Sequence, residues 1–333
     1  MRAFVAGCLG PALTPEERAF FREADPFGFI LFRRNIDHPD QVRALTASLR
    51  DCVGRADAPI LIDQEGGRVQ RLGPPHWPRY PAGRAYGLLS GGKREAAVLG
   101  ARLMAHDLRE LGITVDCLPV LDVPTPGAHD VIGDRAYADD PAAVIELGGG
   151  AAEGLLAGGV LPVVKHIPGH GRAGADSHLA LPRVDAPLEE LRARDFVPFK
   201  ALAHLPAAMT AHVVYEAIDP ERPGTVSPRV IGDIVRGEIG FDGLLFTDDL
   251  SMKALSGSFR ARAEEAIAAG CDIALHCCGD LEEARGVAEG APHLAGASLR
   301  RAERALALIA GPPQAFDPVD ARLAFETRLT LTA

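Results

Sequence analysis

Apolar residues gather in eight short runs along the chain, at residues 3–8, 28–32, 59–62, 113–118, 161–164, 207–209, 243–246 and 272–275. Each run is too short for a helix. Each also lacks the strict alternation of a strand with one wet face, so each predicts a parallel strand buried on both sides. Longer segments with helical spacing lie between them, at 41–52, 94–111, 142–156, 188–203, 229–238 and 260–269. In 94–111, for example, Ala97, Leu99, Ala101, Leu103, Met104 and Leu108 crowd toward one side. Strand followed by helix, repeated, predicts a parallel sheet with crossover helices. Eight repeats favour closure into a (β/α)8 barrel, which leaves no strand edge unpaired, over an open doubly wound sheet. The Pro- and Gly-rich stretches 72–83, 123–127 and 220–228 fall after strands, as loops do.

Size agrees with this pattern. A closed α/β barrel runs to about 250 residues or more as one unit, so the 333 residues are expected to form a single domain, 1–333, with 312–333 as a C-terminal wrap on the barrel. Hydrophobic residues at 47% and charged residues at 24% supply an ordinary core and surface. The formal charge of -10 and the lack of a basic block argue against a nucleic-acid partner. No apolar segment approaches the roughly 20 residues that cross a bilayer, so no membrane association is expected. A small-molecule partner and a monomer are. Cys8, Cys52, Cys117, Cys271, Cys277 and Cys278 are scattered without a CxxC pair, mostly in apolar runs, the pattern of buried thiols in a reducing cytoplasm. The stretch Val5-Ala6-Gly7-Cys8 looks like a lipoprotein cleavage box, but the seven residues before the cysteine leave no room for an apolar h-region.

Catalytic groups of an α/β barrel project from the C-terminal ends of its strands. Ile62 is followed by Asp63, Leu121 by Asp122, Val164 by Lys165 and His166, Ala211 by His212, and Thr247 by Asp248 and Asp249. Any one of these could be a solvated loop residue or a helix cap. Together they predict carboxylates and histidines around one mouth.

The segment Lys165-His166-Ile167-Pro168-Gly169-His170-Gly171, with Asp176-Ser177-His178 after it, admits three readings. Gly169-x-Gly171-x-x-Gly174 formally matches a dinucleotide fingerprint, but Pro168 precedes it and Asp176-Ser177-His178 stands where a packed helix should begin. His166, His170, His178 and Asp248 could bind a metal, although no HxH or HExxH pairing sets a ligand geometry. The third reading is a loop carrying substrate-binding and acid/base groups. Histidine suits it, with an unperturbed pKa of about 6.5 that a carboxylate such as Asp176 can tune by orienting the ring.

These residues resemble the bacterial β-N-acetylhexosaminidases of glycoside hydrolase family 3 over nearly the whole chain. The resemblance rests on Gly28-Phe29-Ile30-Leu31-Phe32-x-Arg34-Asn35-Ile36, on Ile62-Asp63-Gln64-Glu65-Gly66-Gly67-Arg68-Val69-Gln70-Arg71-Leu72, and on Pro119-Val120-Leu121-Asp122-Val123. It continues through Val131-Ile132-Gly133-Asp134-Arg135, the Lys165 to Gly171 stretch with Asp176-Ser177-His178, Met209-Thr210-Ala211-His212, and Thr247-Asp248-Asp249-Leu250-Ser251-Met252. The Lys-His-x-Pro-Gly-His-Gly stretch with its downstream Asp-Ser-His marks the N-acetylglucosaminidase branch. The chain departs from its relatives at Ala128-His129-Asp130, in place of an Asn-Pro pair, and at Ile167, in place of Phe.

The resemblance implies a (β/α)8 barrel glycosidase with Asp248 as nucleophile, His178 as acid/base and Asp176 as its partner. Asp63, Arg71, Arg135, Lys165 and His166 would line the sugar subsite. It implies no metal or organic cofactor, and a muropeptide or chitooligosaccharide-like substrate met in the cytoplasm during peptidoglycan recycling. Other classes make different predictions. A glycoside phosphorylase would yield a sugar 1-phosphate, a metal-dependent barrel hydrolase would lose activity on chelation, and a sugar-binding protein would turn over no aryl N-acetylglucosaminide.

Overall fold

The computed structural model describes residues 1–174 and 181–330. Nine parallel strands form its main sheet: β1 (Arg2–Gly7), β2 (Pro26–Leu31), β3 (Ile60–Ile62), β4 (Val115–Asp116), β5 (Leu161–Pro162), β6 (Val164–Ile167), β7 (Ala207–Thr210), β8 (Leu244–Asp249) and β9 (Ile273–His276). Their order is β5-β4-β3-β2-β1-β9-β8-β7-β6. The two ends of that order are halves of one run, interrupted at Val163. β5 pairs with β4 through Val115 and Leu161, while β6 pairs with β7 through Ala208 and Val164. Lys165 N also donates to Pro119 O at 3.0 Å, which stitches the run to the β4 side beyond the break. The sheet therefore closes on itself as the expected eight-fold barrel.

Both faces of the strands are buried, which is why the sequence shows runs rather than alternation. Val5, Ile30, Leu61, Met209, Phe246 and Ile273 pack in one cluster inside the barrel. Their neighbours Phe4, Ala6, Phe29, Leu31, Ile60, Ile62, Ala208, Leu245 and Ala274 pack outward under the helices. The inner cluster also includes Ala302, Ala305 and Ile309, so the helix Gly296–Ala307 and the residues after it close the barrel at the end away from the polar mouth. Val5, Ala6 and Gly7 lie within β1, fully part of this packing.

Several boundaries differ from the sequence-based expectation. The run at 243–246 continues as strand through Asp249, because Asp249 pairs with Leu275 and Leu275 N donates to Thr247 Oγ1 at 2.8 Å. The helix expected over 188–203 runs without a gap from Leu188 to Ala201 and widens over Leu191–Asp195, where Phe196 N reaches back five residues to Leu191 O. The helix Arg229–Glu238 exists but is wider than an α-helix near its end, as in the bond from Ile239 N to Ile234 O. The helix Pro15–Ala24 lies outside the segments expected to be helical, although Thr14 and Glu17 form a capping box, with Glu17 N donating to Thr14 Oγ1 at 3.1 Å and Thr14 N to Glu17 Oε2 at 2.8 Å. Near the C-terminus the helix Pro318–Thr330 lies on Lys93–Arg109, and its buried Phe325 packs near the rings of Tyr80 and Tyr86, centroids 6.3 and 6.2 Å away. Among the described residues no helix is long and apolar enough to cross a membrane.

Candidate active site

The strand ends converge on a cavity of about 710 Å³, counting its open mouth. Asp63, Glu65, Arg71, Arg135, Lys165, His166, His170, Asp248 and Asp249 supply its polar wall, and Phe32, Met209, Met252 and Leu275 part of its apolar one. Five sequence-predicted subsite residues and the predicted nucleophile thus meet in one place. Asp176 and His178 lie outside the described residues.

The segment after β3 shows how local structure aims these groups. Gln64–Gly66 and Val69–Gln70 form a small antiparallel hairpin. Gln64 points away from the mouth and fastens the hairpin, its Oε1 accepting from Arg71 N and Leu72 N at 3.0 Å each and its Nε2 donating to Leu72 O at 2.9 Å. The alternation of an extended chain then puts Asp63 and Glu65 on the opposite, mouth-facing side. Gly66 turns the hairpin at φ +92°, and a Cβ there would meet Pro81 O at 2.2 Å, so glycine is required on both counts.

Those two carboxylates anchor a buried charge network. Lys165 Nζ donates to Asp63 Oδ1 at 2.8 Å and lies 2.7 Å from Glu65 Oε1. Arg71 donates to Asp63 Oδ2 at 3.0 Å and also stacks over the Phe32 ring. Arg135 clamps Glu65 with two parallel bonds of 2.9 and 2.8 Å. Burial alone would raise the pKa of both acids, but Lys165 and Arg71 pull Asp63 far below the carboxylate range, and Arg135 with Lys165 holds Glu65 at about 2. Lys165 is raised in turn, against its own desolvation, by the same two acids. All are therefore charged. Arg135, expected on the sugar, lines the cavity and uses three of its five N–H groups on Glu65 and on Val131 O at 3.1 Å, which leaves one N–H on each terminal nitrogen. Glu65 was not among the expected site residues; the Asp63-x-Glu65 spacing at a strand end was the available signal.

The histidines sit deeper. Asp122, fully buried, accepts from His166 N at 3.2 Å and His170 N at 2.7 Å, and its other oxygen lies 2.6 Å from His166 Nδ1. Burial would raise its pKa, yet His166 and the two N–H groups bring it below the ordinary value, so an ionised Asp122 orients the His166 ring. His170 is pushed down to about 4, by burial first and then by His166, and is a neutral imidazole near neutrality. Its Nδ1 has no hydrogen-bond partner among the described residues.

Asp248 stands at the end of β8 and is held from below by a directional chain. His212 Nε2 lies 2.9 Å from Asp249 O, a carbonyl that can only accept, so Nε2 carries the proton and Nδ1 accepts. The donor to Nδ1 is then the Thr225 hydroxyl at 2.7 Å, and Thr210 must give its own proton to Thr225 Oγ1 at 2.7 Å. Thr210 Oγ1 in turn accepts from Asp248 N at 3.3 Å. Burial lowers the His212 pKa, consistent with the neutral ring this chain requires. The Asp248 carboxylate accepts the Asp249 N–H on Oδ1 at 2.8 Å, and among the described residues its Oδ2 has no partner. Burial would raise its pKa, but His212, His166 and the Asp249 N–H bring it below the ordinary value, leaving an ionised carboxylate at the cavity wall. Asp249 differs: its Oδ1 accepts Ser251 N at 3.0 Å and Cys277 N at 3.1 Å, and its Oδ2 accepts the Ser251 hydroxyl.

A closed parallel barrel whose strand ends ring one cavity with an ionised acid and a buried cation–carboxylate network has the architecture of a barrel hydrolase acting on a small polar substrate. Residues 14–301 match the family described as glycosyl hydrolase family 3 N terminal domain, and the chain belongs to that family, so it is a glycoside hydrolase. It is 43% identical over 271 residues to a β-hexosaminidase of Pseudomonas aeruginosa strain LESB58, covering 80% of each chain. To a β-hexosaminidase of Methylococcus capsulatus strain Bath it is 43% identical over 274 residues, 81% of this chain and 80% of that one. Among solved structures, NagZ from Neisseria gonorrhoeae in complex with N-trifluoroacetyl-D-glucosamine superposes with a TM-score of 0.84 at 31% identity, covering 99% of this chain and 96% of that one.

Proposed function

We propose that the chain is a retaining exo-β-N-acetylglucosaminidase that removes terminal non-reducing N-acetylglucosamine from peptidoglycan-derived anhydromuropeptides in the cytoplasm. The observation that carries this reading is Asp248: an ionised carboxylate at the cavity wall with one oxygen lacking a partner among the described residues, beside a second acid, Asp249, whose oxygens are taken by its own loop and Cys277. The choice of sugar is supported by the β-hexosaminidase names of the relatives and by the N-trifluoroacetyl-D-glucosamine bound to the Neisseria protein.

In this reading Asp248 attacks the anomeric carbon as the bond to the leaving oxygen breaks, and His178, paired with Asp176, protonates that oxygen. The glycosyl-aspartate is then hydrolysed by a water whose proton returns to His178. Asp63, Arg71, Arg135, Lys165 and His166 bind sugar hydroxyls and the acetamido group, with Glu65 holding Arg135 in place. The nucleophile belongs to the protein, so the reading calls on no metal or organic cofactor. A 2-fluoro N-acetylglucosaminide analogue with a good leaving group should trap one glycosyl adduct on the peptide containing Asp248. An adduct on another residue, or none during turnover, sinks the assignment.

A further inference from the structure

Outside the catalytic cavity, one cluster of His, Cys and Glu has no role in the glycosidase chemistry. Strand alternation sends Leu275 and Cys277 into the barrel, where both line the cavity, and turns His276 outward. There His276 Nε2 lies 3.3 Å from Cys278 Sγ and 3.2 Å from Glu283 Oε2, and Cys278 Sγ lies 2.9 Å from Glu283 Oε2. Among the described residues this set of three places its ligand atoms within 4.8 Å of one another.

We propose that His276, Cys278 and Glu283 form a three-ligand site for a borderline divalent cation of the zinc class, separate from the catalytic cavity. Geometry supplies the first support. Zinc bonds of about 2.3 Å to sulfur and about 2.0–2.2 Å to nitrogen and oxygen give tetrahedral ligand–ligand edges of about 3.4 Å for N–O and about 3.6 Å for those involving sulfur. The observed 3.2 Å for His–Glu and 3.3 Å for His–Cys are each within about 0.3 Å of those edges, whereas the Cys–Glu distance of 2.9 Å falls about 0.7 Å short and must open by a side-chain rotation of Glu283 to admit an ion. Donor chemistry supplies the second: one thiol, one imidazole and one carboxylate suit zinc and its neighbours, whereas magnesium and calcium take oxygen ligands.

Burial and the neighbouring Glu283 push the Cys278 thiol up to about 12, so the charge that displaces its proton has to come from the bound cation itself. Asp280 N donates to Cys278 Sγ at 3.3 Å, beside the start of the ten-residue helix Leu281–Gly290. The Phe259 ring packs edge-on to His276 at 5.7 Å and limits its rotation. Arg262, the nearby cation, is engaged elsewhere, its guanidinium donating to Gly257 O at 3.2 Å and Leu250 O at 2.6 Å and stacking over Phe259. His276 is fully buried but the Glu283 side chain is 34% exposed, so an ion can enter from solvent and the fourth position falls to water. Binding replaces the Cys278 S–H by a metal–sulfur bond and releases that proton.

The test uses cobalt(II) as a spectroscopic probe on the full chain, freed of metal with a chelator. The wild type should bind one equivalent with a thiolate-to-metal charge-transfer absorption, displaced by stoichiometric zinc(II). Affinity should fall by about 100-fold or more in Cys278→Ser and in Glu283→Gln, since even the loss of a supporting outer-shell group costs 10–100-fold. Cys277→Ser should keep the absorption, which separates this site from any ion bound in the cavity. No charge-transfer band in the wild type, a band that survives Cys278→Ser or vanishes in Cys277→Ser, or an unchanged affinity in Glu283→Gln overturns the proposal. Far-ultraviolet circular dichroism of the metal-free variants checks that each is folded, and the Glu283→Gln comparison stands independently of the cysteine variant.

Discussion

Replacing Lys165 with Met removes the charge at the centre of the site while keeping an unbranched stem of similar volume. Lys165 Nζ sits 2.8 Å from Asp63 and 2.7 Å from Glu65, and its side chain is 2% exposed. Deleting one partner of a buried ion pair costs about 3–5 kcal/mol, because the other charge is left uncompensated. Here each acid keeps an arginine, Arg71 on Asp63 and Arg135 on Glu65, which puts the expected loss at the low end, about 3 kcal/mol at neutral pH. The pH dependence gives a second, independent check. Burial would raise the Glu65 pKa, but Arg135 and Lys165 lower it from 4.5 to about 2. A carboxylate with a depressed folded pKa stabilises the fold fully above its unfolded value and loses that contribution as pH falls through the folded one, here from about 4.5 down to about 2. Without Lys165 the folded pKa rises, so the variant has less to lose on acidification. Asp116 pushes the comparison the same way. Its pKa is raised by burial and partly checked by Lys165; in the variant it rises further, which destabilises at neutral pH and has no effect below the unfolded value. Urea unfolding followed by circular dichroism should therefore show a gap of about 3 kcal/mol at pH 7 that narrows toward about pH 3. A gap below about 1 kcal/mol, the level of an exposed ion pair, or one that is the same at both pH values, refutes the network as described.

Three further outcomes follow from other parts of the molecule. Thr225→Val strands His212 Nδ1 and the Thr210 hydroxyl in the buried chain beneath Asp248; leaving such a group unsatisfied costs about 1–3 kcal/mol, so the thermal midpoint should fall and kcat with it, whereas an unchanged midpoint would mean that water replaces the hydroxyl. His178→Ala should lose far more activity on substrates with poor leaving groups than on activated aryl N-acetylglucosaminides, and equal losses would remove His178 from the acid role. Phe325→Ala should destabilise by about 3–5 kcal/mol if the helix Pro318–Thr330 is integral to one domain with the barrel; a loss below 1 kcal/mol would make that helix an appendage instead, and thermal denaturation distinguishes the two.

The barrel was legible because its strands carry their signature locally: a run such as Ile60–Ile62 must be apolar at every position when both faces are covered. The strand-end rule likewise located Asp63, Lys165, His166 and Asp248, since the first polar residue after such a run falls at the mouth. Pairings were not legible. Lys165 meets Asp63 across 102 positions of sequence, through barrel registers that no local pattern encodes. Arg135 illustrates the consequence: the resemblance puts it in the sugar subsite and the structure puts it on the cavity wall, but its pairing with Glu65, 70 positions away, has no local signal. The helix Pro15–Ala24 does carry a local start signal, Thr14-Pro15-Glu16-Glu17, in which Thr14 and Glu17 form the capping box.

Adjacent acids at a strand end are chemically identical in sequence, and what separates Asp248 from Asp249 is the peptide geometry around them. Successive residues of a strand face opposite sides, so only one of two neighbours can stand over the same point of the mouth. Asp249 turns to the loop that follows and to β9, where Ser251 and the Cys277 N–H occupy both its oxygens and its own carbonyl receives His212. That arrangement makes Asp249 a clamp on the strand end and fixes the backbone N–H that reaches Asp248 Oδ1. Asp248 is thereby aimed by two backbone contacts, one from its neighbour's N–H and one through its own N–H to Thr210, while its other oxygen, without a partner among the described residues, is the one that meets the anomeric carbon in the proposed mechanism. A nucleophile positioned in this way depends on its neighbour for orientation rather than for charge. Asp249→Asn should consequently retain the Asp248 adduct with a fluorinated sugar, only more slowly, and a complete loss of labelling with the fold intact would show that the two acids act as one catalytic unit.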